Sequence, residues 1–100
     1  MKIEHYPEKN RFETVVDGVT AYVSYAEDDT CVDIRHTIVP EAIGGRGIAS
    51  ALVRATYDYA RAKGLKPVAT CSYAAVWLQR HPEYEGSTSA DYGGGDSCAL

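Results

Sequence analysis

The chain has 100 residues, 45% hydrophobic and 24% charged, with a formal net charge of -4 and a pI near 5.2. That length accommodates one domain and one core. The acidic balance argues against a nucleic-acid partner, which selects a basic face, and no run approaches the ~20 apolar residues of a membrane span.

The N-terminus, Met1-Lys2-Ile3-Glu4-His5, has no apolar stretch of the signal-peptide kind, so a cytoplasmic protein is expected. Arg11 to Val16 reads as a strand that Asp17-Gly18 turns into a hairpin. Val19 to Ala26 follows, with Val19, Ala21, Val23 and Tyr25 alternating onto one face. After the turn Glu27-Asp28-Asp29-Thr30, a third strand runs from Cys31 to Val39. Uninterrupted alternation places Val32, Ile34, His36 and Ile38 on one face of it. Two tight turns make these three strands an antiparallel meander, and Pro40, with no N–H to give, ends it.

From about Arg46 to Lys63 the period changes to 3.6, with Ile48, Leu52, Ala55 and Tyr59 as the apolar stripe and Gly64 as terminator. Leu65 to Thr70 is a short strand. A helical crossover precedes it, so it is expected parallel to the third. Ser72 is placed to cap a second helix through Arg80, with Tyr73, Val76 and Trp77 on one side, and His81-Pro82 stops it. The expected domain spans residues 1–85, and the Ser/Gly/Asp-rich stretch 86–100 is expected to be a disordered tail. Cys31, Cys71 and Cys98 form no CxxC pair; they imply neither zinc nor a disulfide framework, and are expected as free thiols. Carboxylates and histidines show no metal-ligand spacing.

The most informative stretch is Pro40-Glu41-Ala42-Ile43-Gly44-Gly45-Arg46-Gly47-Ile48-Ala49-Ser50, where a strand hands over to a helix. The first backbone N–H groups of a helix have no internal partner and sit at the positive end of its dipole. Glycine lets a ligand approach such amides closely. This is the arrangement that binds phosphate oxygens.

Element order and four segments together resemble the GCN5-related N-acetyltransferases, and more closely their small single-domain subgroup. The segments are His36-Thr37-Ile38-Val39-Pro40-Glu41, Gly45-Arg46-Gly47-Ile48-Ala49, Thr70-Cys71-Ser72-Tyr73 and Arg80-His81-Pro82-Glu83-Tyr84. The likeness covers about residues 5 to 85. It implies a minimal α/β fold: an antiparallel meander plus one parallel strand, about four strands in all, with two helices and a splayed edge. It also implies acetyl-coenzyme A as co-substrate, with no metal. The family's pyrophosphate turn, Arg/Gln-x-x-Gly-x-Gly/Ala, falls here on Gly44-Gly45-Arg46-Gly47-Ile48-Ala49. Gly44 departs from it at the first position, and Arg46 remains as a nearby cation. The chain also lacks the N-terminal helices with which the family commonly builds its acceptor pocket.

By resemblance, Gly44, Gly45, Arg46, Gly47, Ile48, Ala49 and Ser50 would hold the phosphates. Ile38 and Val39 would pair with the pantetheine arm, and Tyr73 or Trp77 would flank it. Acetyl transfer needs a positioned thioester and a deprotonated acceptor. Cys71, at a strand-to-helix turn that favours thiolate, is the candidate to accept the acetyl group as a thioester or to hold the acceptor amine close by, with direct transfer, the usual route in the family, as the alternative; His36 is the candidate base. The expected function is acetyl-coenzyme A-dependent N-acetylation of a small or protein amine. The alternative is a non-catalytic module that binds coenzyme A or its acyl esters.

Overall fold

The computed structural model describes residues 1–88. Its elements are β1 (Ile3–Tyr6), β2 (Arg11–Val16), β3 (Val19–Glu27), β4 (Cys31–Ile38), α1 (Ile48–Ala62), β5 (Lys66–Ala69), α2 (Ser72–Arg80) and β6 (Ser87–Thr88). Short 3-10 turns lie at Pro7–Lys9, Glu41–Ile43 and Pro82–Tyr84. The strands form one sheet in sequence order. β1 to β4 pair antiparallel, whereas β4–β5 and β5–β6 are parallel.

Local chemistry accounts for the joints. Asp17 and Gly18 both adopt positive φ (52° and 76°), the two-residue turn whose twist matches that of the strands it joins. Asp28 Oδ1 accepts hydrogen bonds from the Thr30 and Cys31 amides and from Thr30 Oγ1, which fixes the β3–β4 turn and lowers the Asp28 pKa. α1 ends in a Schellman motif: Leu65 N–H donates to Ala60 O at 2.8 Å and Gly64 N–H to Arg61 O at 3.0 Å, with Gly64 at φ 73°. That left-handed turn suits glycine.

Both helices pack on one face of the sheet. The core joins Ala21, Val23 and Tyr25 of β3, Val32 and Ile34 of β4, Leu52, Val53 and Tyr57 of α1, and Ala74, Ala75 and Trp77 of α2. Trp77 Nε1 donates to Ser50 Oγ at 2.9 Å, which ties the two helices. The Tyr57 hydroxyl reaches Val68 O at 2.6 Å and ties α1 to β5. Tyr84, 5% exposed, docks the chain after α2 by donating to Asp58 and accepting from Arg54.

Several expectations are corrected. The sheet has six strands, not four. β1 pairs with β2 and stacks His5 on Phe12 at 4.1 Å. β6 adds to β5 from within the segment expected to be tail; the rest of that segment, residues 89–100 with Cys98, lies outside the described residues. Helix α1 starts at Ile48 rather than Arg46, because Gly47 at φ 76° is its N-cap. Cys71, not Ser72, is the cap residue of α2.

The largest departure is in β4. Its register with β3 shifts between Ser24 and Tyr25: Ile34 faces Tyr25, while His36 faces Ser24. Arg35 is the extra residue of a β-bulge. Residues directly opposite each other share a face. Ile34 and Thr37 therefore lie with Tyr25 and Val23 on the helix-covered face. Asp33, His36 and Ile38 lie with Ala26, Ser24 and Tyr22 on the helix-free face. The single apolar face expected for Val32, Ile34, His36 and Ile38 is split by the bulge.

Candidate functional site

Two features meet where β4 leaves the sheet. The first is a gap. β4 pairs with β5 only from Cys31 to Ile34, and Ile34 O closes the ladder by accepting both Thr70 N–H and Cys71 N–H, at 3.0 and 3.1 Å. Beyond that point β4 continues to Ile38 while β5 turns into α2, so the parallel strands part. The stretch carrying His36, Thr37 and Ile38 borders the opening, with Val39 just past it.

The second is a row of unengaged amides. Gly44 N–H is used, donating to Glu41 O at 3.0 Å. From Gly45 through Ser50, by contrast, no N–H makes a hydrogen bond among the described residues; the first amide of α1 bonded inward is that of Ala51, to Gly47 O. Gly45 and Gly47 hold φ of 74° and 76°. A Cβ built at either would meet no atom within 4 Å, so the backbone there borders open space. This is the geometry a diphosphate requires: free donors at a helix start, with no side chain in the way. The residues present fit that group.

The remaining sequence candidates are distributed unevenly. Arg46 lies at the loop, but its Nη1 is engaged by Asp17 Oδ2 at 2.7 Å in an exposed pair. The Ser50 hydroxyl is taken by Trp77, and Trp77 is 4% exposed and stacked on His81 at 3.8 Å. The structure thus places Trp77 in the core. Tyr73, 41% exposed in the first turn of α2, keeps a ring at the surface.

Cys71 is fully buried, with its Sγ 3.5 Å from Thr37 Oγ1. It is disulfide-bonded, whereas Cys31 is a free cysteine. The expectation of free thiols is therefore corrected at Cys71: sequence spacing does not report proximity in space. Nor are Cys71 and His36 brought together. The bulge sends the His36 side chain to the helix-free face and leaves Thr37 beside the sulfur. His36 Nδ1 is buried and lacks a hydrogen-bond partner among the described residues.

Sequence reasoning passed over one residue here. Asp33 is 7% exposed. Its Oδ2 accepts from Thr70 Oγ1 at 2.8 Å and from Arg35 Nη1 at 3.1 Å, while its Oδ1 is a buried atom without a partner among the described residues. A lone carboxylate in the apolar run Cys31-Val32-Asp33-Ile34 was the available signal, since buried charge is rarely placed without a purpose. No group of three or more His, Cys, Asp or Glu among the described residues is placed to hold a metal ion. No helix among them is long and apolar enough to cross a membrane.

A parallel pair that opens beside a glycine-rich helix start, in a six-stranded mixed sheet covered by two helices, defines a mixed α/β protein. Residues 11–87 match the family model described as GCN5-related N-acetyl-transferase, and the chain belongs to that family. It is similar to Protein NATD1 of Xenopus tropicalis, 31% identical over 86 residues that cover 82% of this chain and 78% of that protein. It is likewise similar to Protein NATD1 of Homo sapiens, 32% identical over 85 residues, covering 82% and 75%. The solution structure of a GCN5-like protein from Staphylococcus aureus superposes with a TM-score of 0.68 at 28% identity, covering 88% of this chain and 87% of that one.

Proposed function

We propose that this protein transfers an acetyl group from acetyl-coenzyme A to an amine. The observation that carries the reading is the row of free amides from Gly45 to Ser50 beside the parted strands. Its family membership supports acyl transfer as the chemistry. In this reading the amides of Gly45, Arg46, Gly47, Ile48, Ala49 and Ser50 hold the diphosphate. The β4 edge at Ile38 and Val39 guides the pantetheine arm, with Tyr73 at the rim. The contribution of the loop in this reading is backbone donors, which do not depend on whether Gly, Arg or Gln stands at position 44.

Acetyl-coenzyme A supplies an activated thioester. His36 Nδ1 accepts a proton from the incoming amine on the helix-free face. As the C–N bond forms and the C–S bond breaks, the second surplus proton of the nitrogen passes to the departing thiolate, giving an amide and free thiol. The sulfur of Cys71, being in a disulfide, supports direct attack by the amine. Relay through a Cys71 thioester requires the reduced thiol.

Titration calorimetry with acetyl-coenzyme A, followed by turnover on a panel of amines with and without dithiothreitol, tests the reading. Binding with turnover supports it, and turnover retained by Cys71→Ala assigns the direct route. Binding without turnover on any amine favours the alternative, a coenzyme A-binding module. Absence of any thermal stabilisation by acetyl-coenzyme A overturns both, because a ligand of the native state must raise its stability, by about 2.7 kcal/mol at one hundred times Kd.

A further inference from the structure

We propose that Cys98 is the other half of the Cys71 disulfide, and that this bond straps segment 89–100 across the gap between β4 and the start of α2 until a thiol reductant releases it. The inference rests on the acyl-transfer reading above and adds its regulation. Of the strap, only the points of attachment, Thr88 and Cys71, belong to the described residues.

The chain holds three cysteines, Cys31, Cys71 and Cys98. Cys71 is disulfide-bonded and Cys31 is free, which within one chain leaves Cys98 as the partner. Reach allows it. β6 runs parallel to β5, and its last rung sets Thr88 beside Ala69, two residues before Cys71. The chain beyond Thr88 therefore leaves the sheet at the end where the gap opens. Adjacent strands are about 4.8 Å apart, so β6 stands on the order of 10 Å from that gap. Cys98 is ten residues beyond Thr88, and such a length extends to about 33 Å. The slack permits a reversal, and Gly93-Gly94-Gly95 offers one without steric cost.

Cys71 borders the opening and yet is fully buried, with its Sγ 3.5 Å from Thr37 Oγ1. Thr37 lies in the stretch of β4 that has no β5 partner. A residue bonded to that sulfur stands against this stretch, in the space the pantetheine arm takes in the reading above, so the two occupants exclude each other. The amides from Gly45 to Ser50 are a separate set of donors. The strap thus competes with the arm and not with the diphosphate. Composition agrees: Cys98-Ala99-Leu100 is an apolar run suited to a gap between strands, and the Ser, Gly and Asp before it suit a solvated crossing.

Release is thiol–disulfide exchange. A thiolate of a small dithiol attacks one sulfur and the other leaves as a thiolate. The second thiolate of the reductant then frees the first sulfur and closes the reductant into its own disulfide. The two protons of the reductant end on Cys71 and Cys98. An opened gap serves direct attack and thioester relay alike. In a reducing compartment the site stands open, and oxidation shuts it.

The test uses the full chain, purified without reductant and oxidised with glutathione disulfide. Trypsin cuts after Lys63 and Arg80 and so parts Cys71 from Cys98. Mass spectrometry should find peptide 64–80 linked to peptide 81–100, and dithiothreitol should split the pair into two thiol peptides. Calorimetry should find acetyl-coenzyme A bound at least ten-fold more tightly by reduced than by oxidised protein. Adenosine 3′-phosphate 5′-diphosphate, which lacks the arm, should bind both within two-fold. Cys98→Ser should bind like the reduced protein with or without dithiothreitol. Amides from His36 to Val39 should exchange with deuterium at least ten-fold more slowly in the oxidised protein, a readout that needs no ligand. A Cys71 thiol that persists, Cys71 linked to Cys31 or to a second copy, equal exchange in the two states, or redox dependence retained by Cys98→Ser overturns the proposal. So does equal affinity of the two states for acetyl-coenzyme A. Failure of the reduced protein to bind either ligand sinks the acyl-transfer reading instead, and linkage and exchange still decide the strap.

Discussion

The Thr70 hydroxyl donates a 2.8 Å hydrogen bond to Asp33 Oδ2 and ties the end of β5 to β4 where the two strands begin to part. The bond is buried and its acceptor is charged, which places it among the stronger side-chain hydrogen bonds. Thr70→Val keeps the shape and removes the donor. Unfolding free energy should fall by about 1–3 kcal/mol, measured by urea denaturation, and Thr70→Ser should recover most of it. A Thr70→Val variant as stable as the parent would show that the tie contributes nothing.

Gly47 holds φ 76° with open space where a Cβ would sit. Valine there must enter the left-handed region, at about 1–2 kcal/mol or more, and its branches would stand over the free amides. Gly47→Val should therefore fold with modest loss of stability and lose acetyl-coenzyme A affinity at least ten-fold. Calorimetry beside denaturation separates the two effects. Unchanged affinity in a folded variant would count against the loop as the phosphate site.

Ser50 distinguishes backbone from side chain. Its hydroxyl is the acceptor for Trp77 Nε1, while its amide makes no bond among the described residues. Ser50→Ala should strand a buried indole N–H and lower stability by about 1–3 kcal/mol. Acetyl-coenzyme A affinity should stay within two-fold, because the amide remains. A selective loss of affinity with stability intact would mean that the hydroxyl leaves Trp77 to bind the ligand.

His5 makes stability depend on pH. Its ring stacks on Phe12 and its Nε2 meets the Tyr25 hydroxyl at 2.7 Å. Burial lowers its pKa below the ordinary 6.5, against the raising effect of Glu27 and Glu8, with Lys63 adding to the lowering. The folded state thus binds the proton less readily than the unfolded chain. Stability is fully present above the unfolded value and is lost as pH falls from about 6.5 through the folded value. His5→Phe, which keeps the stack, should flatten the stability profile between pH 7.5 and 5.5. An unchanged slope would assign the dependence to another group.

Much of this protein is local, and local physics is written in sequence. The Asp17-Gly18 hairpin, the alternation of β3 and the Gly64 terminator each depend on neighbours a few residues apart, and the structure shows all three. The α1 stripe is shown only at Ile48 and Leu52, since the buried face runs on through Val53, Thr56, Tyr57 and Ala60 and leaves Ala55 and Tyr59 at its margin. The free amides from Gly45 onward were legible for the same reason: a helix start cannot satisfy its own first donors. β1 was passed over although Ile3-Glu4-His5-Tyr6 alternates, because so short an edge strand is decided by its partner, β2.

The pattern of residues along the chain determined the central elements from β2 to α2, their order and the place of the glycine turn before α1. Only the tertiary structure decided which side chains meet. One extra residue at Arg35 reverses the face of everything after it in β4, sending His36 toward Asp33 and leaving Thr37 beside Cys71. Alternation within a strand is a property of consecutive residues, whereas a bulge exists only relative to the strand opposite it, so no reading of one strand alone reveals it.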